Sequence, residues 1–527
     1  MKLALKTLLL SFFCGTAIAQ VIAPVFPPAI THVVVIFQEN RTPDNLFQGL
    51  SSKCSLPSTS TCTPTVTSSC YDVSPCGIAQ DAQGNNIVVQ LTPKALAGGY
   101  DPDHSHNSFE LMCNPDPTNL RTCRMNGAYL IPDSCNSDPT CTNNGKGQLL
   151  SYKYVDNPSL TYNNAYGTGT TSVVGPYLAF AQQYGWANFM YQTNQGPSYP
   201  AHQYIFSGTS ARTATDDSNA TFVAENFGPK GTKAGCLADP TTAFNRIVSP
   251  NPNPNVCPSG CVCYDNNTVQ ECKLFNNAQG DAFCYGHNTM DTLLGSSNWK
   301  YYTPSLGSIW TAPDSFSALC GPVVNGQCTG SAFTGTNPNV VINETKVLTD
   351  IKNCNLSPVT WVIPDGRWSD HAASNDGTGP SWVAAIVNEI GGFQNTCGFW
   401  NNTAVVITWD DWGGWSDNQP ASVLNPVNGQ GDYQYGFRVP MIVVSAYTPQ
   451  GYINNAPHDF GSILKMIEGI FGLGTLNFAD ARAANDLRNF FTLTTPRTYT
   501  IVPAVKDPSY FINFAGTPLA PDADDDN

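Results

Sequence analysis

Two short polar runs carry the first sign of chemistry. Glu39 and Asn40 follow the run HVVVIF and its Gln38, and Asp410 and Asp411 follow the run TAVVITW. Both runs are short, β-branched and bounded by polar residues, the pattern of a buried strand. Open α/β sheets display their chemistry beyond the carboxyl ends of such strands. If the two strands lie side by side in a parallel sheet, Glu39, Asn40, Asp410 and Asp411 meet along one edge. Three carboxylates and an amide oxygen would repel one another there unless something cationic stood between them. Hard oxygen donors of this kind suit a divalent metal ion. Taken singly, either run reads equally well as a polar loop start with Glu39 or Asp410 capping a helix, a role in which Asp and Asn are favoured. Taken together, they favour a metal site.

A candidate attacking group and its helpers are harder to read from residue type. YQTNQGPSYPAHQYIFSGTS (191–210) sets Ser198 in a tight Gly-Pro-Ser-Tyr-Pro turn. A serine in such a place is ordinarily just a turn residue. The Gly-x-Ser-x-Gly elbow of an α/β-hydrolase is absent, because Pro200 follows Tyr199. The chain has seven histidines: His104 and His106 lie in DPDHSHNSF, His371 in DGRWSDHAA, and His287 just before NTMDTLLGSSNWKYY. His202 lies four residues after Ser198, and its role is open. His106 and His458 read as surface or structural residues.

The elements that must position these groups alternate between strand and helix. HVVVIF (32–37), VTWVIP (359–364), TAVVITW (403–409) and VPMIVVSAY (439–447) read as strands. GPYLAFAQQYGWANF (175–189) has the spacing of a helix leading into a strand. GPSWVAAIVNEIGGF (379–393) is amphipathic, with Trp382, Ile386, Val387 and Ile390 on neighbouring turns, and DFGSILKMIEGIFGL (459–473) is a further helix. Strand–helix–strand order implies an α/β fold, a central, mostly parallel sheet between helical layers. Residues 51–145 and 212–285 are loop-like and rich in cysteine, so they read as disulfide-braced insertions. One catalytic domain over residues 20–527 is expected, with no internal repeat and no clean linker.

Composition bounds the setting. MKLALKTLLLSFFCGTAIAQ has a Lys-bearing start, an apolar stretch and a small-residue site ending at Ala19, the layout of a secretory signal over residues 1–19. Its apolar stretch falls short of the roughly 20 residues a bilayer span needs. The remaining 18 of 19 cysteines are even in number, as in a disulfide framework formed outside the reducing cytosol. CPSGCVC (Cys257, Cys261, Cys263) therefore reads as stapled loops rather than a zinc site. A net charge of −15 argues against a nucleic-acid partner. A secreted or periplasmic protein without a transmembrane segment is expected.

HVVVIFQENRTPDNLFQGL resembles the opening signature of the phosphoesterase family that contains bacterial phospholipases C and a group of acid phosphatases. SWVAAIVNEIGGF…W.NTAVVITWDDWGGWSDNQP resembles its late signature, and YGFRVPMIVVSAYTPQGYI…HDFGSILKMIE its closing segment. The pieces recur in order from about residue 32 to 490, and the ordered set is specific. The resemblance implies an alkaline-phosphatase-like fold. It implies Ser198 as nucleophile, at the family's Gly-Pro-Ser/Thr position. It also implies His104 (Asp-Pro-x-His), His371 and His287 as catalytic imidazoles around the phosphoryl group, and one or more divalent metal ions at Glu39, Asn40, Asp410 and Asp411. Where relatives often have Tyr-Asp-His after the Gly-Gly of the late signature, this chain has Ser416-Asp417-Asn418.

The expected function is hydrolysis of phosphate esters through a phosphoserine. The chain ends soon after these signatures, without the C-terminal β-domains of many phospholipases C, which tilts the expectation to acid-phosphatase-like monoester cleavage. Phospholipase C action on a phosphatidylcholine-like head group is the alternative enzyme. A secreted carbohydrate- or surface-binding protein is the alternative outside enzymes. No Cys-x-Pro-x-Arg motif supports a sulfatase.

Overall fold

The computed structural model describes residues 25–57, 61–116, 119–134, 149–218, 221–223, 233–238, 244–248, 262–265, 270–274, 284–424 and 433–519. The expected signal segment 1–19 and Cys257 and Cys261 lie outside these residues. The core is a sheet of eight strands, numbered here in chain order: β1 His32–Gln38, β2 Gly185–Ala187, β3 Trp299–Thr303, β4 Val340–Ile342, β5 Val359–Val362, β6 Thr403–Trp409, β7 Met441–Ser445 and β8 Tyr452–Asn454. Their spatial order is β4–β3–β5–β1–β6–β7–β2–β8. The first five in that order run parallel. β7 runs antiparallel to both its neighbours, so the sheet is mixed. β1 and β6 occupy the middle, and every residue of β6 is buried, as a strand covered on both faces must be.

Six helices matter for the site: α1 His106–Cys113, α2 Gly175–Gln183, α3 Ser198–Ser207, α4 Lys346–Lys352, α5 Gly379–Ile390 and α6 Phe460–Phe471. Successive residues of β1 show how they are layered, because side chains of a strand alternate between faces. Phe37 packs edge-on against His202 of α3 and Phe460 of α6. Gln38 points the other way and donates to the Tyr177 hydroxyl of α2 at 2.9 Å. Helices α4 and α5 pack with α2 on that second side. The expected sheet between helical layers is present.

The helix starts follow local chemistry. Asp459 caps α6 by accepting from the Ser462 amide at 3.0 Å, and Gly472 ends it in the left-handed conformation. The Gly-Pro-Ser-Tyr-Pro turn runs straight into α3, with Ser198 as its first residue. Pro200 is tolerated there because amides of the first turn have no intrahelical partner to lose. Disulfides Cys54–Cys70, Cys62–Cys76 and Cys113–Cys123 brace the first insertion, and Cys236–Cys284 spans much of the second. Cys320–Cys328 and Cys354–Cys397 fall outside both.

Candidate active site

The two strands that carry the acidic runs are direct neighbours, parallel and in register, with Gln38 opposite Trp409. Glu39, Asn40, Asp410 and Asp411 therefore leave the sheet together at its carboxyl edge, and all four are fully buried. Neither run is a helix cap. Thr42 caps the short helix Pro43–Leu46, while the Asn40 amide donates to Asp410 Oδ1 at 2.8 Å. Asn40 sits in the left-handed region at φ 62°. The chain opposite comes close at Gly413, φ 61°, where a Cβ would collide with the Asn40 carbonyl. That glycine is required for the two runs to meet.

Helix α3 brings the serine. Ser198 Oγ donates to Asp411 Oδ2 at 3.4 Å, and Ser198 also hydrogen-bonds Glu39. His202, on the same helix face one turn on, places Nε2 3.0 Å from Glu39 Oε1. Glu39, His202 and Asp410 form one group able to hold a metal ion, with ligand atoms within 4.8 Å of one another. Asp101, His104 and His371 form a second such group.

Asn40 joins the two groups. Oriented to satisfy its neighbours, its amide nitrogen donates to Asp410 Oδ1 at 3.1 Å and Glu39 Oε2 at 3.3 Å. Its oxygen accepts from His104 Nε2 at 2.6 Å and His371 Nε2 at 3.2 Å. The opposite nitrogen of each ring is already used. His104 Nδ1–H donates to the Pro102 carbonyl at 2.9 Å and His371 Nδ1–H to the Ala372 carbonyl at 2.6 Å.

Electrostatics single out the acidic group. Burial, and then the charges of Asp410 and Asp411, push the Glu39 carboxyl well above its ordinary range, with the Ser198 hydrogen bond opposing. Burial drives His202 down to about 3, so its neutral imidazole compensates nothing. Asp410 Oδ2 is buried without a hydrogen-bond partner among the described residues. Clustered buried carboxylates with an orphaned oxygen fit a divalent cation, as their hard donor set requires.

The rest of QENRT serves the same site. Gln38 donates to Tyr177, and Tyr177 donates to Asp370 Oδ2 at 2.7 Å. Arg41, fully buried, donates from Nε and Nη2 to the Asp370 carbonyl at 2.9 and 2.6 Å. Both contacts fix Asp370, itself at φ 76°, and with it His371.

Other residues are placed elsewhere. His287 packs against Phe316 and Phe478 and donates from Nδ1 to the Asn288 carbonyl at 2.9 Å, and no described contact joins it to this cluster. His106 is buried, not on the surface, and donates from Nδ1 to the Gln195 carbonyl at 2.6 Å, three residues before Ser198. His458 is buried beside Phe490. Asn418 donates to Asp72 Oδ1 at 3.0 Å within a cluster around Arg438, so that departure from the family pattern falls on a structural contact. Sequence reasoning left His202 open and missed Asp101. For His202 the i, i+4 spacing from Ser198 was the available signal; Asp101 offered none beyond its closeness to His104.

The phosphoesterase family model matches residues 30–474, and the chain belongs to that family. Among curated relatives, phospholipase C B of Mycobacterium tuberculosis is 28% identical over 167 residues, covering 28% of this chain and 32% of its own length. Non-hemolytic phospholipase C of Burkholderia pseudomallei is 29% identical over 161 residues, covering 27% of this chain and 23% of its own. The matched stretches thus span a third or less of those relatives. A solved structure of a protein in the alkaline phosphatase superfamily from Vibrio parahaemolyticus overlaps 58% of this chain and 62% of its own at 10% identity, with a TM-score of 0.28. No helix among the described residues is long and apolar enough to cross a membrane.

Proposed function

We propose that this chain is a secreted, metal-dependent phosphoesterase that uses Ser198 as nucleophile and favours phosphate monoesters. In this reading residues 20–527 form one catalytic domain with two cysteine-rich insertions. The observation that carries it is the meeting of Ser198 with Asp411 and Glu39 at the shared edge of β1 and β6. Family membership supports the reaction class. The N-terminal pattern and the disulfides support export.

Glu39, Asp410 and Asp411 would hold the ion, with Asn40 once its amide oxygen turns toward them, and His202, His104 and His371 stand beside the site. A divalent ion bound there supplies Lewis-acid stabilisation of charge on the phosphoryl oxygens and makes a hydroxyl more acidic. Ser198 Oγ attacks phosphorus in line, and its proton passes to Asp411, whose Oδ2 already accepts from it. As the bond to the leaving alcohol breaks, His104 or His371 gives that oxygen a proton from Nε2. The phosphoserine lies at the N-terminus of α3, where a helix favours negative charge. Water then attacks phosphorus and gives a proton to that imidazole, the bond to Oγ breaks, and Asp411 returns the proton to Ser198 Oγ as phosphate leaves. His287, which the family pattern places among the catalytic imidazoles, stands outside the contacts of this cluster, against Phe316 and Phe478.

Two imidazoles beside a candidate cation position suit a dianionic monoester better than a monoanionic diester. The phosphodiester reading has its own support, since the curated relatives named above are phospholipases C. Assay of the purified chain on a chromogenic phosphate monoester and a phosphocholine diester, with and without chelator, tests both beside Ser198→Ala. Faster monoester turnover, lost with chelator and in the variant, is expected. Preference for the diester would make it a phospholipase C. Full activity in Ser198→Ala would remove the phosphoserine route, and no turnover on either ester would favour a binding protein.

A further inference from the structure

We propose that His202 is a positioning residue: its Nε2–H holds the Glu39 carboxylate in the orientation that ligates the cation, while the imidazole stays outside the coordination sphere. This rests on the metal-site reading above. A carboxylate oxygen can only accept, so the 3.0 Å contact between His202 Nε2 and Glu39 Oε1 places the donor proton on Nε2. The remaining nitrogen then decides between ligand and support. A metal-ligating histidine almost always donates its other ring N–H to a carboxylate, carbonyl or water. His104 and His371 have that arrangement, each with Nδ1 on a backbone carbonyl. His202 does not, for its Nδ1 is buried with no hydrogen-bond partner among the described residues. Its ring meets Phe37 edge-on at 4.7 Å and stacks beside Trp310 at 6.3 Å, so aromatic walls surround it. Ligation through Nε2 would put a proton on Nδ1 with nothing to receive it, whereas donation from Nε2 leaves only a lone pair there.

The helix makes the arrangement useful. Ser198 and His202 stand one turn apart on α3, and both hydrogen-bond Glu39. One carboxylate is thus gripped twice from a single rigid element, which ties the nucleophile's position to that of the proposed metal ligand.

The test is calorimetric titration of the metal-stripped full chain with Mn2+, comparing wild type, His202→Phe and His202→Gln, with pulsed electron resonance of the bound Mn2+. Phe fills the aromatic pocket without a donor, and its Mn2+ dissociation constant should rise about 10–100-fold. Gln keeps a donor and should recover most of that loss, with an unchanged nitrogen coupling on Mn2+. If His202→Phe fails to fold, His202→Leu gives the same contrast against Gln. Equal Mn2+ affinity in wild type and the donor-free variant would overturn the positioning role alone. A directly bound nitrogen lost in His202→Gln would overturn it in favour of ligation. Wild type that binds no Mn2+ would overturn the metal-site reading and this inference with it.

Discussion

Two buried acidic clusters lie within a few residues of each other along the chain, and they are opposites. One gathers Glu39, Asp410 and Asp411; the other gathers Asp44, Asp72 and Asp417, from the same two loops with one further segment. The second carries its own cation. Arg438 donates from Nε and Nη2 to the two oxygens of Asp417 at 2.8 and 3.0 Å, and from Nη1 to Asp72 Oδ2 at 3.1 Å. Its Nη2 lies 3.5 Å from Asp44 Oδ1. Burial alone would weaken this guanidinium, but Asp417, Asp72 and Asp44 override that and hold it above its ordinary value. In the first cluster the groups that meet Glu39 are the Ser198 hydroxyl and the imidazole of His202, which burial keeps neutral. The difference separates structure from function. A covalently supplied cation makes an acidic cluster a brace, whereas carboxylates met by neutral groups, with an orphaned oxygen on Asp410, are candidates to hold an ion.

The largest expected effect falls on the brace. Arg438→Met should cost about 3–5 kcal/mol in unfolding free energy, because it strands buried charge; denaturant melts measure it. Asp370 stands between the extremes, since its side chain meets the donors Tyr177 and Trp409 while Arg41 binds its carbonyl. Burial raises it to about 6, with those hydrogen bonds and the Arg41 charge opposing. A carboxyl whose folded pKa lies above its unfolded value stabilises most below the unfolded value, and that contribution is lost as pH rises through the folded one. Between pH 4 and 7 wild type should therefore lose up to about 3 kcal/mol relative to Asp370→Asn. Paired urea titrations at each pH would check it, and a pH-independent difference would contradict it.

Asp410→Asn should split two readouts. Turnover should fall more than about 100-fold, since a ligand loss exceeds the usual cost of losing a supporting residue. Metal-free stability should hold or rise by about 1 kcal/mol, as a neutral amide relieves repulsion and can donate to Glu39. Asp417→Asn in the brace should do the reverse and destabilise. Gly413→Ala should cost about 1–3 kcal/mol from backbone strain and lower turnover by displacing Asn40, as thermal melts and kinetics would show.

The sequence exposed the strand ends because β-branched runs followed by carboxylates have few other uses, and β1, β5, β6, α5 and α6 were legible for the same periodic reason. β3 and β4 were not, for WKYYT and VVI are too short and mixed to stand out. Nor was the reversed direction of β7, which depends on how the chain returns across the sheet rather than on its residues. Glu39 and Asp410 could be paired in advance because each closes a readable strand. Arg438 could not be matched to Asp72 and Asp417, nor His287 set apart from His104 and His371, since nothing local records which distant loops meet.

The most direct measurement is the thermal unfolding midpoint of the metal-stripped chain with and without saturating Mn2+, in wild type and Asp410→Asn. An ion at 100 times its dissociation constant stabilises by about 2.7 kcal/mol, so the wild-type midpoint should rise by about 2–3 degrees while that of Asp410→Asn barely moves. No rise in wild type, or the same rise in both, would contradict the assignment of Glu39, Asn40, Asp410 and Asp411 as the cation site.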